Sequence, residues 1–198
     1  MFNEEMRITA ENQLTLYIKI ALKNIDFALI SIDYILNTQN INQNIYKDKH
    51  TFYFYYLQNL LAACGNISNI FNNNIGYISR GGRISPLERS KDLREYCGVS
   101  LREFPLIFKR EARNTNMHFD ERYDEYNMHI GDYNIIDENT SYEERRVILS
   151  TPHLRTYNKE EQVYITVGRY GEKIEFSLVQ LHQELVDLSN LLKKALCK

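Results

Sequence analysis

The stretch NQLTLYIKIALKNIDFALISIDYILN, residues 12–37, decides the fold class. Its apolar positions Leu14, Ile18, Ala21, Ile25, Ala28, Ile32 and Ile35 follow one another at steps of four and three. That is the repeat of one face of an α-helix. Tyr17, Leu22, Leu29 and Leu36 widen the stripe, so the buried face is broad, as in a helix bundle. The spacing predicts a long amphipathic helix from Asn12 to Asn37, ended by the polar run Asn37-Thr38-Gln39-Asn40.

The same repeat recurs downstream. A second helix is predicted from Thr51, as N-cap, to Asn72, with Phe52, Tyr56, Leu60, Ala63, Ile67 and Ile70 on one face. Tyr53, Phe54 and Tyr55 make its first turns aromatic almost all round. Such an end must be covered on more than one side, so these rings suit core or dimer packing better than base stacking. Ser79 to Pro86 reads as a loop; Gly81-Gly82 between Arg80 and Arg83 lacks the phosphate-loop pattern and reads as a mobile turn. Ser85-Pro86 opens a short helix to Tyr96, with Ser85 as N-cap, proline at the first position and Glu88 as a first-turn acid. A third main helix is predicted from Ser100 to Met128, begun by a Ser100–Glu103 capping box, with Pro105 in its first turns.

The texture changes at Gly131. Tyr133–Ile136, Arg146–Leu149, Gln162–Val167 and Lys173–Phe176 are short and β-rich, and the last two read as a hairpin around Tyr170-Gly171. From Ser177 to Ala195 the helical repeat returns through Leu178, Leu181, Leu185, Leu188 and Leu192. The expected fold is mainly α: an antiparallel up-down helical bundle with a small antiparallel β insertion before the last helix. Residues 1–198 are expected to form a single helical domain, with 131–176 as a β-rich insertion within it.

Composition narrows the function classes. The chain has 198 residues, 43% of them hydrophobic and 25% charged, which fits a globular domain and not a disordered tail. Mean hydropathy is -0.47, and no apolar run approaches a membrane span. Met1–Asn12 carries Glu4, Glu5 and Glu11 and does not read as a secretory signal, so a cytoplasmic protein without membrane association is expected. Cys64, Cys97 and Cys197 are far apart and without neighbouring histidine, so reduced thiols are expected and neither a disulfide frame nor a metal site. No cofactor is implied. Net charge is -2, yet residues 79–113 carry a net +4, a basic middle able to meet phosphate.

One short string carries chemistry. In Arg113-Asn114-Thr115-Asn116-Met117-His118, arginine is followed by an amide and, five positions on, by histidine. This resembles the R-x(4–6)-H motif of the HEPN superfamily, the higher eukaryotes and prokaryotes nucleotide-binding domains. The continuation Phe119-Asp120-Glu121-Arg122 is similar to strings in bacterial HEPN-like helical proteins. The resemblance covers the bundle and not the β insertion. It implies a small helical fold, a homodimer whose cleft lies between subunits, and in many members metal-independent cleavage of RNA. The toxin branch of that superfamily has tyrosine two residues after the histidine, where this chain has Asp120.

The resemblance and side-chain chemistry together give the roles. Imidazole titrates near neutrality, so His118 would move the proton at the 2′ or leaving 5′ oxygen. The guanidinium fork of Arg113 would hold the charge that builds on the phosphorane, and Asn114 would orient the substrate. Lys109, Arg110 and Arg122 would meet flanking phosphates, and products would end in a 2′,3′-cyclic phosphate. In an unbroken helix, positions 113 and 118 point roughly 140° apart, so a shared site needs a kink or a dimer mate. Asp120, Glu121, Asp124 and Glu125 crowd the histidine with negative charge. The alternative is a non-catalytic helical bundle that binds nucleotide, RNA or a cognate partner protein through residues 79–113. His129, His153 and His182 lack metal-ligand spacing, and Ser150-Thr151 with His153 lacks a nucleophile elbow.

Overall fold

A computed structural model describes residues 4–37, 49–73, 85–109, 155–158, 161–167 and 173–198. They form α1 (Glu4–Asn37), α2 (Lys49–Phe71), α3 (Pro86–Cys97), β1 (Arg155–Asn158), β2 (Val163–Val167), β3 (Lys173–Ser177) and α4 (Leu178–Leu196). The fold is mainly helical, with a three-stranded antiparallel sheet before the last helix. No helix among the described residues is long and apolar enough to cross a membrane.

The predicted stripe of α1 is the buried one. Ile18, Ala21, Ile25, Ala28, Ile32 and Ile35 all lie in the core. Burying each of the four isoleucines contributes about 1.5–3 kcal/mol, and the long helix holds because they share one face with Ala21 and Ala28. The helix begins at Glu4 and not at Asn12. Two contacts fix how α2 runs. Tyr34 stacks on Tyr56 at 4.8 Å between centroids, and Asn66 Nδ2 donates to Asn24 Oδ1 at 3.0 Å. Late α1 meets early α2 and the reverse, so the pair is antiparallel. α2 starts at Lys49, which puts Thr51 inside the helix and not at its cap. Tyr53 and Phe54 are buried, as the aromatic opening of α2 requires.

Sequence chemistry sets both ends of α3. Ser85 Oγ accepts from Glu88 N at 3.2 Å, while Glu88 Oε2 accepts from Ser85 N at 2.9 Å. This is a capping box built on Ser85, beside the proline at the first position. At the other end, Gly98 adopts φ 70, and its N–H and that of Val99 reach back to Glu95 O at 3.3 Å and Arg94 O at 2.9 Å. That is a Schellman closure, with buried Val99 as its apolar partner.

Residues 100–109 correct the sequence reading. The segment is a run of turns and not the start of the third main helix. Ser100 and Glu103 meet through the backbone, Glu103 N to Ser100 O at 3.1 Å, and one helical turn follows from Phe104 O to Phe108 N at 3.2 Å. Pro105 disfavours the α conformation at Phe104. The N–H groups of Leu106 and Ile107, which a helix from Ser100 would bond four residues back, go to a side chain of α4. The remainder of that predicted helix lies outside the described residues. So do Gly81-Gly82, Tyr133–Ile136 and Arg146–Leu149.

The sheet has the order β1-β2-β3. Tyr157, Tyr164 and Phe176 stand in register across the three strands, and all three are buried. Ile174 joins them while Glu175 between is exposed, the alternation of a sheet with one face on the core. The Tyr157 ring lies 5.4 Å from that of Tyr53, so this face covers the aromatic end of α2. The hairpin of β2 and β3 is as expected, whereas β1 was not anticipated. β3 runs straight into α4, whose N-cap is Ser177, with Gln180 N donating to Ser177 Oγ at 3.3 Å. Leu178, Leu181, Leu185, Leu188 and Leu192 are buried as predicted. His182 Nε2 stands 3.5 Å from Asp33, and Lys198 Nζ donates to Tyr96 O at 3.3 Å. α4 therefore starts beside the end of α1 and finishes beside α3.

Candidate functional site

Of the residues assigned chemistry from sequence, Lys109 lies within the described residues. Arg110, Arg113, Asn114, His118 and Arg122 lie outside them, as do His129 and His153. Lys109 ends the described segment that approaches the motif.

A buried carboxylate holds that approach. Glu184 Oε2 accepts from Leu106 N at 2.9 Å and from Ile107 N at 3.1 Å, and Glu184 Oε1 accepts from Gln180 Nε2 at 3.3 Å. Glu184 is a buried charged residue on the apolar side of α4. Burial pushes its carboxyl above the usual carboxylate range, and the hydrogen bonds from Ile107, Leu106 and Gln180 pull the other way. The turn it holds ends at Lys109, whose N–H reaches Leu106 O at 3.3 Å. The Lys109 ammonium sits 4.9 Å from the centre of the Phe176 ring, a cation–π contact that ties the turn to β3.

Beneath Lys109 lies a small recess lined by Cys64, Ser68, Ile107, Phe176 and Leu181, among others. The Ser68 hydroxyl is buried there and has no hydrogen-bond partner among the described residues. Cys64 is no nucleophile: burial first, and the nearby Glu184 charge second, push its thiol up to about 12. Cys97 is likewise raised by burial, to about 11. The recess can hold a water on Ser68; it is too apolar and too small to be a catalytic pocket.

The basic stretch is only partly free to meet phosphate. Arg89 Nη1 donates to Tyr17 Oη at 3.0 Å, and its guanidinium stacks 4.5 Å over the same ring. Arg94 donates to Phe71 O, and Ser90 Oγ donates to Ile70 O at 2.8 Å, so α3 closes the C-terminal end of α2. Lys91 and Arg102 are exposed. Among the described residues no group of three or more His, Cys, Asp or Glu side chains gathers as a metal site. No family model, no curated protein and no solved structure matches the chain.

Sequence reading missed Glu184. Its signal was present: an acid flanking the Leu181–Leu185–Leu188 stripe cannot be buried without partners. What the sequence did not indicate is that those partners are two backbone amides next to the Arg–His motif.

Proposed function

We propose that the chain is a HEPN-like, metal-independent endoribonuclease of the cytoplasm that works as a homodimer. The observation that carries this reading is the Arg113-Asn114…His118 string in a mainly helical chain of this size. Support comes from the anchored turn, which fixes the chain through Ile107 and ends at Lys109, four residues before Arg113 in sequence. His118 transfers the proton at the ribose and leaving oxygens, Arg113 stabilises the phosphorane charge, and Asn114 orients the substrate. Arg110 and Arg122 hold flanking phosphates. Lys109 contributes more as a tether on Phe176 than as a free cation. The second copy supplies the facing half of the cleft, as an unbroken helix through 113–118 would require.

The test is RNA cleavage in EDTA by the wild type, Arg113→Ala and His118→Ala side by side. Cleavage that persists in chelator and is lost in both variants supports the reading. Equal cleavage by all three marks a contaminant and ends it. RNA retained without cleavage points to the non-catalytic bundle instead.

A further inference from the structure

α1 carries a second apolar stripe, opposite its buried one. Leu16, Ile20, Phe27, Ile30 and Tyr34 are all exposed, between 42% and 64%. At 100° per residue they stand within an arc of about 80°, turned roughly 145° from the buried face, and they extend about 27 Å along the helix. Tyr34 stacks on Tyr56, and Tyr56 meets the exposed Tyr55 edge-on at 5.3 Å, so the stripe continues onto α2. Together these side chains show on the order of 600 Å² of largely apolar surface. That is the upper end of what a monomer exposes in one patch, and most of the about 800 Å² per partner that a stable dimer buries.

The charges around the stripe select the occupant. Lys19 flanks its first half and Lys23 lies within it, while Asp26 and Asp33 flank its second; within the chain Lys23 Nζ stands 3.4 Å from Asp26, and His182 Nε2 stands 3.5 Å from Asp33. A two-fold interface demands a surface complementary to itself. Turned end for end about residue 25, the stripe meets that demand. Leu16 falls opposite Tyr34 of a second copy, Ile20 opposite Ile30, and Lys23 opposite the Phe27 ring. Lys19 then falls opposite position 31, two residues from Asp33 of the second copy, and Lys23 comes one residue from its Asp26, so unlike charges approach. A parallel arrangement would instead bring Lys23, nearest the seam, level with Lys23 of the second copy.

We propose that this face of α1 is the two-fold interface between two copies of the chain, helices antiparallel and centred on residue 25. It shares the second copy with the nuclease reading but stands on a separate observation.

Light scattering at tens of micromolar reads the mass, expected at twice the 23.5 kDa of the chain. Phe27→Glu with Ile30→Glu, both on exposed positions, should weaken the dimer at least a hundredfold and leave the circular dichroism unchanged. Lys23→Glu alone should weaken it about tenfold, and adding Asp26→Lys should restore it. In a Cys197→Ser background, Leu16→Cys with Tyr34→Cys should cross-link two chains on oxidation, and either alone should not. A wild-type mass of one chain overturns the proposal, as does a dimer indifferent to Phe27→Glu, or one that cross-links through Leu16→Cys alone. The two readings fail separately. An α1 dimer that leaves RNA intact removes only the nuclease, and His118-dependent RNA cleavage by a dimer indifferent to Phe27→Glu removes only the interface.

Discussion

Glu184, on the last helix, accepts the backbone N–H of Ile107 at 3.1 Å across 77 residues of sequence, and the same oxygen accepts Leu106 N at 2.9 Å. A side chain here does what a helix N-cap does, but from another element. It closes the turn that leads into the candidate catalytic string, and it does so from inside the core.

Removing the carboxylate leaves two amides without a partner. Glu184→Ala is expected to destabilise the protein by about 3 kcal/mol, because each buried N–H left unpaired costs about 1–3 kcal/mol. Glu184→Gln keeps an acceptor of the same reach and is expected to stay within about 1 kcal/mol of the wild type. Urea unfolding of the three proteins checks this. Equal stability of the alanine variant and the wild type would show that the anchor contributes nothing.

The same group gives a pH dependence of defined sign. Its folded-state affinity for protons is raised above the ordinary value of 4.5 by burial. The stabilisation linked to that proton is complete below about pH 4.5 and is lost as pH rises through the higher folded value. Relative to Glu184→Gln, the wild type should therefore melt at a higher temperature near pH 5 than near pH 7. Glu88 acts in the opposite direction. The backbone N–H and hydroxyl of Ser85 hold its carboxyl below the usual range, so its contribution is present above pH 4.5 and is lost on acidification. A Glu88→Gln variant should lose less stability than the wild type between pH 5 and pH 3, in the same melts.

Gly98 provides a backbone test. A Cβ there would meet nothing within 4 Å, so the cost of alanine lies in the left-handed φ of 70 alone. Gly98→Ala should destabilise by about 1 kcal/mol, read as a shift of the denaturation midpoint with unchanged slope. Gln162 holds φ 55 without being glycine, at the turn that leads into β2. Gln162→Gly should be neutral or slightly stabilising there, since relief of the left-handed strain offsets the added freedom of the unfolded chain.

Thiol reactivity should follow burial. Cys64 and Cys97 are buried with raised affinities for their protons, and Cys197 is exposed. A thiol reagent at pH 8 should modify Cys197 promptly in the native protein and all three cysteines only after unfolding. Prompt reaction of Cys64 would contradict the packing of α2 against the turn at Ile107.

Helices with a long four–three apolar repeat were legible from sequence. The predicted stripes of α1 and α4 are the buried ones, with Leu14 only partly buried and with Glu184, Ser189 and Ala195 buried in addition, because a four–three repeat marks one helix face. α3 was legible through Ser85, Pro86 and Glu88, which act locally. The segment from Ser100 was not. Ser100 and Glu103 repeat the spacing of Ser85 and Glu88, but their fate is settled by Pro105 and by distant Glu184. β1 was missed because Arg155–Asn158 is four residues without alternation, and its pairing with β2 makes it a strand. Of the candidate site, the lead-in at Lys109 has a described geometry, and the roles of Arg113, Asn114 and His118 rest on the sequence string and its chemistry.

The account turns on whether that string cleaves RNA. The most direct measurement is the 3′ end left on an end-labelled RNA after incubation with the protein in EDTA. The account predicts fragments ending in a 2′,3′-cyclic phosphate, formed by the wild type and reduced at least a hundredfold in His118→Ala and in Arg113→Ala. Intact RNA with the wild type, or cyclic-phosphate fragments formed equally well by His118→Ala, would contradict it.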